Sequence, residues 1–277
     1  MAITQDNFYS VYLHTNVIDQ EVALWQKFFA CNTKLPLINF ITDDVDVKWA
    51  EKIVNYTADG GEKYASIITK IASEMARQED AFSEIGYVED LTYRESLLRA
   101  VNIIEAGDSE LSYALRKFVG QIVIVESDSL VATSSVLFLG LVVIAPKPEW
   151  SLHDYIENLI HEMSHIELYI KQLTDPLVVK GAQLRSPFRS HPRPVNGVFH
   201  AAFVLARIVF YMNKIQLSVN DSGYSETKAA NSNKLLGETV EQFEDNSLLT
   251  HHGIKVMNEL KSINFQFQGE GFLNACV

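Results

Sequence analysis

The sequence predicts a mainly α (α+β) fold, a helical bundle-like chain with a small antiparallel β-hairpin or sheet set before one central helix. Three observations lead there. Apolar residues at helical spacing dominate both halves of the 277-residue chain. Two β-branched runs, Gln121 to Val125 and Val136 to Ala145, lie close together near its middle. The pentapeptide His161-Glu162-Met163-Ser164-His165 stands within the helical stretch that follows them.

Taken in order, candidate helices over 17–30, 46–56, 61–80, 91–105 and 108–119 make up a helical N-terminal portion, 1–118. Asp59-Gly60-Gly61 and Ala106-Gly107-Asp108 read as turns between them. The second portion, 119–277, carries the hairpin, the pentapeptide helix, a further apolar helix and a C-terminal helix, and the two portions are expected to form one compact unit. The hairpin strands are joined through Ser127-Asp128-Ser129 and Ser134-Ser135. An exposed edge there would suit pairing with an extended peptide; an ordinary buried hairpin roofing the core fits the same residues. The 130–145 run is too short for the roughly 20 residues of a membrane span, and it holds Thr133, Ser134 and Ser135 before Pro146. The stretch 217–232, rich in Ser, Asn, Asp and Gly, reads as a loop or helix-end region, and His251-His252-Gly253 as a turn into a helix over 254–261.

The pentapeptide helix is the best defined element. Ser151 serves as N-cap with Asp154 three positions on, and Leu152, Tyr155, Ile156, Leu159, Ile160, Met163, Ile166 and Ile170 supply a periodic apolar face. Pro176 bounds the far side, so the helix is expected over 152–172. His161 and His165, at i and i+4, then lie one above the other with Cβ atoms about 5–6 Å apart, the spacing of two imidazoles on one metal ion. A tetrahedral or octahedral ion needs a further ligand from elsewhere. His200 opens the apolar stretch Val198 to Met212, which reads as a buried helix packed on the first, and it is the favoured third ligand. His191, in a loop before Pro192, and the carboxylates Glu157 and Glu167 are the alternatives.

His161-Glu162-x-x-His165, then Ser186-Pro187-Phe188-Arg189, then Arg193-Pro194-Val195-x-Gly197-Val198-Phe199-His200 resemble the HExxH-motif domain of bacterial peptide-modification clusters. The strand Ile122 to Ser129 extends the likeness, which spans about 119–210. Proteins of that family are described as 2-oxoglutarate-dependent peptide β-hydroxylases. The resemblance implies Fe(II) held by His161, His165 and His200, 2-oxoglutarate as co-substrate, and hydroxylation at Cβ of a residue in a ribosomally made precursor peptide. A 2-oxoglutarate carboxylate is best held by a bidentate guanidinium. Arg193 and Arg207 are favoured for it, with Arg189 and Arg185 as loop alternatives. Arg207 is chosen because it lies seven positions after His200, two turns along the same helix.

A zincin-like core is expected around the pentapeptide, which is shared with zinc peptidases that use the glutamate at the position of Glu162 as general base. A zinc-dependent HExxH metallopeptidase is therefore the main alternative, with Zn2+ as its metal. Where such peptidases take a third ligand glutamate from a following helix, this chain offers a histidine. In an oxygenase Glu162 would instead orient a ligand, water or substrate. A metal-stabilised binding protein without turnover is a third reading.

Bulk properties agree with a soluble, cytoplasmic enzyme. Hydrophobic content of 47% suffices for a substantial core. The first residues lack a basic start and an apolar run, so no signal peptide is expected. Cys31 and Cys276 read as free thiols. A net charge of −12 argues against nucleic acid or anionic membrane as partners and favours a basic peptide.

Overall fold

The computed structural model describes residues 7–59, 62–78, 84–188, 191–219 and 226–268. The fold is mainly helical, with a small mixed sheet and a separate two-stranded antiparallel sheet. Strands β1 (Ile53–Asn55), β2 (Gln121–Ile124), β3 (Ala132–Ser134) and β4 (Leu141–Ile144) lie in the order β1-β2-β4-β3. The first three neighbours in that order are parallel, and β3 closes the edge antiparallel to β4.

Alternation of side chains builds one core on each face of this sheet. Ile122, Ile124, Val142 and Ile144 pack with α1 (Thr15–Cys31), α4 (Thr92–Gly107), α5 (Ser109–Phe118) and α6 (Leu152–Lys171). Val123, Val125, Leu141 and Val143 pack against Tyr64, Ile67, Ile68 and Ile71 of α3 (Glu62–Gln78). Covering on both faces is what parallel strands require, and it explains why β2 and β4 read as continuous apolar runs.

Three expectations are corrected here. The two β-branched runs do pair, but in parallel; the chain between them is long enough for a crossover and folds β3 back onto β4 on the way. The helix expected over 46–56 is a single turn, α2 (Trp49–Lys52), after which Ile53 and Val54 leave the helix to pair with β2. Backbone pairing with a buried neighbour outweighs local propensity there. Finally, α9 (His251–Gln266) begins at His251 because the Thr250 hydroxyl accepts from the Gly253 N–H as an N-cap, so His251-His252-Gly253 is helix and not turn. Gly253 is required there: a Cβ would stand 1.8 Å from the Leu177 carbonyl oxygen.

A second core surrounds α7 (Val195–Val219), against which α6, α8 (Glu226–Val240) and α9 pack. The window Val195–Ile215 is long and apolar enough to cross a membrane, yet 83% of it is buried among its neighbours, as the central helix of a core. Of the 217–232 stretch read as loop, 217–219 belong to α7 and 226–232 to α8, while 220–225 lie outside the described residues. A short ribbon, β5 (Gln183–Leu184) with β6 (Arg193–Pro194), leads directly into α7.

Where α1, α6 and α7 meet, four charged side chains are wholly buried. Glu167 Oε1 accepts from Arg207 Nη2 at 2.8 Å, and Arg207 Nη1 lies 2.8 Å from Glu167 Oε2. Lys171 Nζ lies 3.0 Å from Glu167, pairs with Glu21 of α1, and donates to the Phe8 carbonyl at 2.6 Å. Two carboxyl groups stand against two cations there; burial raises Glu21 to about 8, while the Arg207 and Lys171 charges hold Glu167 low. Glu167→Ala removes the carboxylate that Arg207 and Lys171 share, and is expected to cost about 3–5 kcal/mol in urea unfolding. Lys234→Ala, at a side chain 74% exposed, is expected to change stability by no more than about 0.5 kcal/mol.

Candidate metal centre

Helix α6 starts where Asp154 Oδ2 accepts from both the backbone N–H and the hydroxyl of Ser151, at 2.8 and 2.6 Å. From that start, His161, His165 and Tyr169 fall at successive i+4 positions on one face. Helix α7 brings His200 against them from its second turn. The ring centroids of His161 and His165 are 5.0 Å apart, those of His165 and His200 5.5 Å, and those of Tyr169 and His200 5.3 Å. His165 Nδ1 and His200 Nδ1 face one another at 3.3 Å. His200 Nε2 lies 2.8 Å from Gln172 Oε1.

The three imidazoles line a cavity of about 650 Å3. Its other walls are Ser129 to Val136, running through β3; the end of α3 with Ile71, Glu74 and Met75; and Ser186, Phe188, Arg193, Asn196 and Gly197 before and at the start of α7. Val131, Val136 and Phe188 stand exposed at its walls. The β3 edge has a definite hydrogen-bonding register. Val131 C=O accepts from Ala145 N–H at 2.9 Å, and Thr133 is opposite Val143 two residues on. By the antiparallel alternation, Ala132 and Ser134 turn their N–H and C=O groups away from β4. The Ser134 hydroxyl donates to Glu162 Oε2 at 2.7 Å, joining strand to helix.

Electrostatics keep the imidazoles neutral. Burial pushes His161 and His200 down to about 4. His165 is held well below the usual range by burial first, and then by the charges its two histidine neighbours would carry. A third of the His161 side-chain surface remains open to the cavity, and solvent access there moderates the push. Glu162, 4% exposed, is raised by burial to about 7 in spite of the Ser134 hydrogen bonds, which pull it down. Tyr169 is raised to about 12, by burial before the nearby Glu162 charge.

These residues suit a divalent cation in their chemistry and in part of their geometry. Neutral imidazole is the ligand form of histidine. Two nitrogens each about 2.0–2.1 Å from a tetrahedral cation stand about 3.3 Å apart, which matches His165 and His200. Among the described residues, no three His, Cys, Asp or Glu side chains already close on one point. His161, His165 and His200 would hold the ion, the His161 ring lying 5.0 Å from that of His165.

The structure brings together the favoured histidines, Glu162 and one of the arginines singled out from sequence, and leaves the alternatives elsewhere. His161, Glu162, His165, His200 and Arg193 share the cavity wall. Arg207 does not: its guanidinium is buried against Glu167, and Phe203 and Tyr211 lie against it. Counting two turns along α7 put Arg207 on the right helix but took no account of the buried carboxylate that claims it. Glu167 is thereby committed away from the cavity, and neither Glu157 nor the exposed His191 forms part of its wall. Arg185 lies outside the wall, its backbone bonded to Gln242, and Arg189 lies outside the described residues.

Ser134, Tyr169, Gln172 and Asn196 were missed. Tyr169 continues the i+4 series of the two histidines and was legible; the other three reach the site only through folding. No protein-family model matches this chain, and no curated protein matches it in sequence.

The depressed imidazoles set a pH dependence whose sign follows from proton uptake. Between pH 6.5, the ordinary histidine value, and about 4, the unfolded chain binds protons that the folded His161 and His200 refuse. Stability is therefore full above that window and is lost as pH falls through it. The Tm of metal-free protein should drop between pH 7 and 5, and the drop should be shallower in His161→Gln and His200→Gln.

Proposed function

We propose that this chain is an Fe(II)- and 2-oxoglutarate-dependent dioxygenase, a cytoplasmic peptide β-hydroxylase acting on a ribosomally synthesised precursor peptide. The observation that carries the reading is the joint presence, on one cavity wall, of three neutral imidazoles and the guanidinium of Arg193. The sheet with its antiparallel edge strand beside α6 is read as a zincin-like core. When bound, iron and 2-oxoglutarate together supply oxidation of a C–H bond by dioxygen, with the oxo acid converted to succinate and carbon dioxide.

The chain's own residues then have separable tasks. His161, His165 and His200 would hold the metal. Arg193 would pair with the far carboxylate of 2-oxoglutarate; its side chain lies alongside the first turn of α7 at Gly197. The outward N–H and C=O groups of Ala132 and the C=O of Ser134 offer pairing to an extended backbone, the Ser134 N–H being directed at Glu162, and Val131, Val136 and Phe188 offer apolar contact to its side chains. Glu162, bonded to Ser134, would bridge the strand that takes the peptide and the helix that takes the metal.

One observation favours a second reading, a zinc-dependent peptidase. A carboxyl group brought to about 7 beside the imidazoles is poised as a general base at neutral pH. The two readings separate in one experiment. Protein purified without oxygen is given Fe(II), 2-oxoglutarate and candidate peptides, then exposed to air. Succinate together with peptide that has gained one oxygen atom supports the oxygenase; cleavage with zinc and no succinate supports the peptidase. For the oxygenase, Arg193→Leu should raise the 2-oxoglutarate concentration needed for half-maximal turnover by roughly ten- to a hundredfold, the loss of one charge-assisted contact. An unchanged requirement would remove Arg193 from this role.

A further inference from the structure

A neutral imidazole carries one proton and one lone pair, and the neighbours of His200 identify which nitrogen has which. Gln172, at the end of α6, makes three contacts. Its Nε2 donates to the Pro176 carbonyl at 3.2 Å and to Asn196 Oδ1 at 2.7 Å, while its Oε1 lies 2.8 Å from His200 Nε2. The Pro176 carbonyl can only accept, so the amide NH2 group must be on that side. The amide oxygen therefore faces His200, and an oxygen can only accept. The proton lies on Nε2 of His200, and Nδ1 is bare. Nδ1 is also the atom that faces His165 at 3.3 Å.

We infer that Gln172 is a positioning residue for the metal site: oriented by the Pro176 carbonyl and Asn196, it fixes His200 as the Nε2–H tautomer and presents Nδ1 as the ligating atom. The inference rests on the three-histidine reading proposed above. Ligating histidines characteristically donate their second ring N–H to an oxygen acceptor, which fixes ring orientation and raises basicity. Here the acceptor comes from the helix that bears His161 and His165, one turn past Tyr169. Asn196 comes from α7, one turn before His200. The relay therefore ties the relative position of the two helices to the aim of the third ligand.

The first measurement is made on metal-free, 15N-histidine-labelled protein by two-bond 1H–15N correlation, with His200 assigned by its loss in His200→Gln. The expected result is a protonated Nε2 and an unprotonated Nδ1 in the wild type, with Gln172→Leu shifting His200 towards a mixture of tautomers. The second is Co(II) titration followed by ligand-field absorption. Gln172→Leu and Asn196→Leu are expected to weaken binding about 10- to 100-fold. Asn196→Asp, which still accepts from the Gln172 amide, is expected to restore it. Equal cobalt affinity in the wild type and Gln172→Leu, or a proton on Nδ1 of His200 in the wild type, overturns the inference. Failure of cobalt to bind the wild type overturns the metal reading instead, and the tautomer of the metal-free protein still decides what Gln172 does.

Discussion

Burial of α6 is the constraint on which the rest of the structure depends. The helix packs against α1, α4, α5, α7 and β3, and beyond its first turns little of it but the cavity face reaches solvent. Within that setting charge is expensive, so each ionisable group must be neutral or matched. One turn apart along the helix both solutions occur. His161 and His165 stay neutral because burial disfavours the imidazolium; Glu167 stays charged because Arg207 and Lys171 meet it. One helix thus carries an uncharged histidine face back to back with an ion-paired face.

The sheet contributes position and not chemistry. Its parallel strands β2 and β4 are covered on their faces by α3 and the helical layer, and β3 is the sheet edge that packs beside α6. That edge lies along the same cavity as the imidazoles, and the Ser134–Glu162 hydrogen bond pins the two together. That hydrogen bond fixes how far the strand edge stands from the helix that bears the histidines. Mobility in such a site would be costly, since errors of about 1 Å in the placement of reacting groups reduce rates severely.

Second-contact residues explain why the pentapeptide by itself is a weak guide. Five residues supply two imidazoles and a carboxyl, but the aim of the third imidazole depends on Gln172, Asn196 and the Pro176 carbonyl, which are scattered over two helices and a turn. None has a composition or spacing that marks it. Arg193 and Arg207 show the same principle from the other side. Both are arginines flanking His200 at plausible spacing, yet one is left to the cavity and the other is consumed by a buried carboxylate.

The elements that the chain determined unaided are those set by local periodicity and capping. Helices α1, α3, α4, α5 and α6 lie within one to three residues of where the 3.6-residue pattern puts them, and the Ser151 start of α6 was visible as a cap. The pairing of His161 with His165 needed nothing more than a helix. Tertiary structure decided everything that depends on partners distant in sequence. Whether Gln121–Ile124 and Leu141–Ile144 ran parallel or antiparallel rested on a crossover, and Ile53–Asn55 became a strand only because β2 lay beside it. Periodicity reports which face of an element is apolar. It does not report what lies opposite, and hydrogen-bond pairing, ion pairing and tautomer are all properties of what lies opposite.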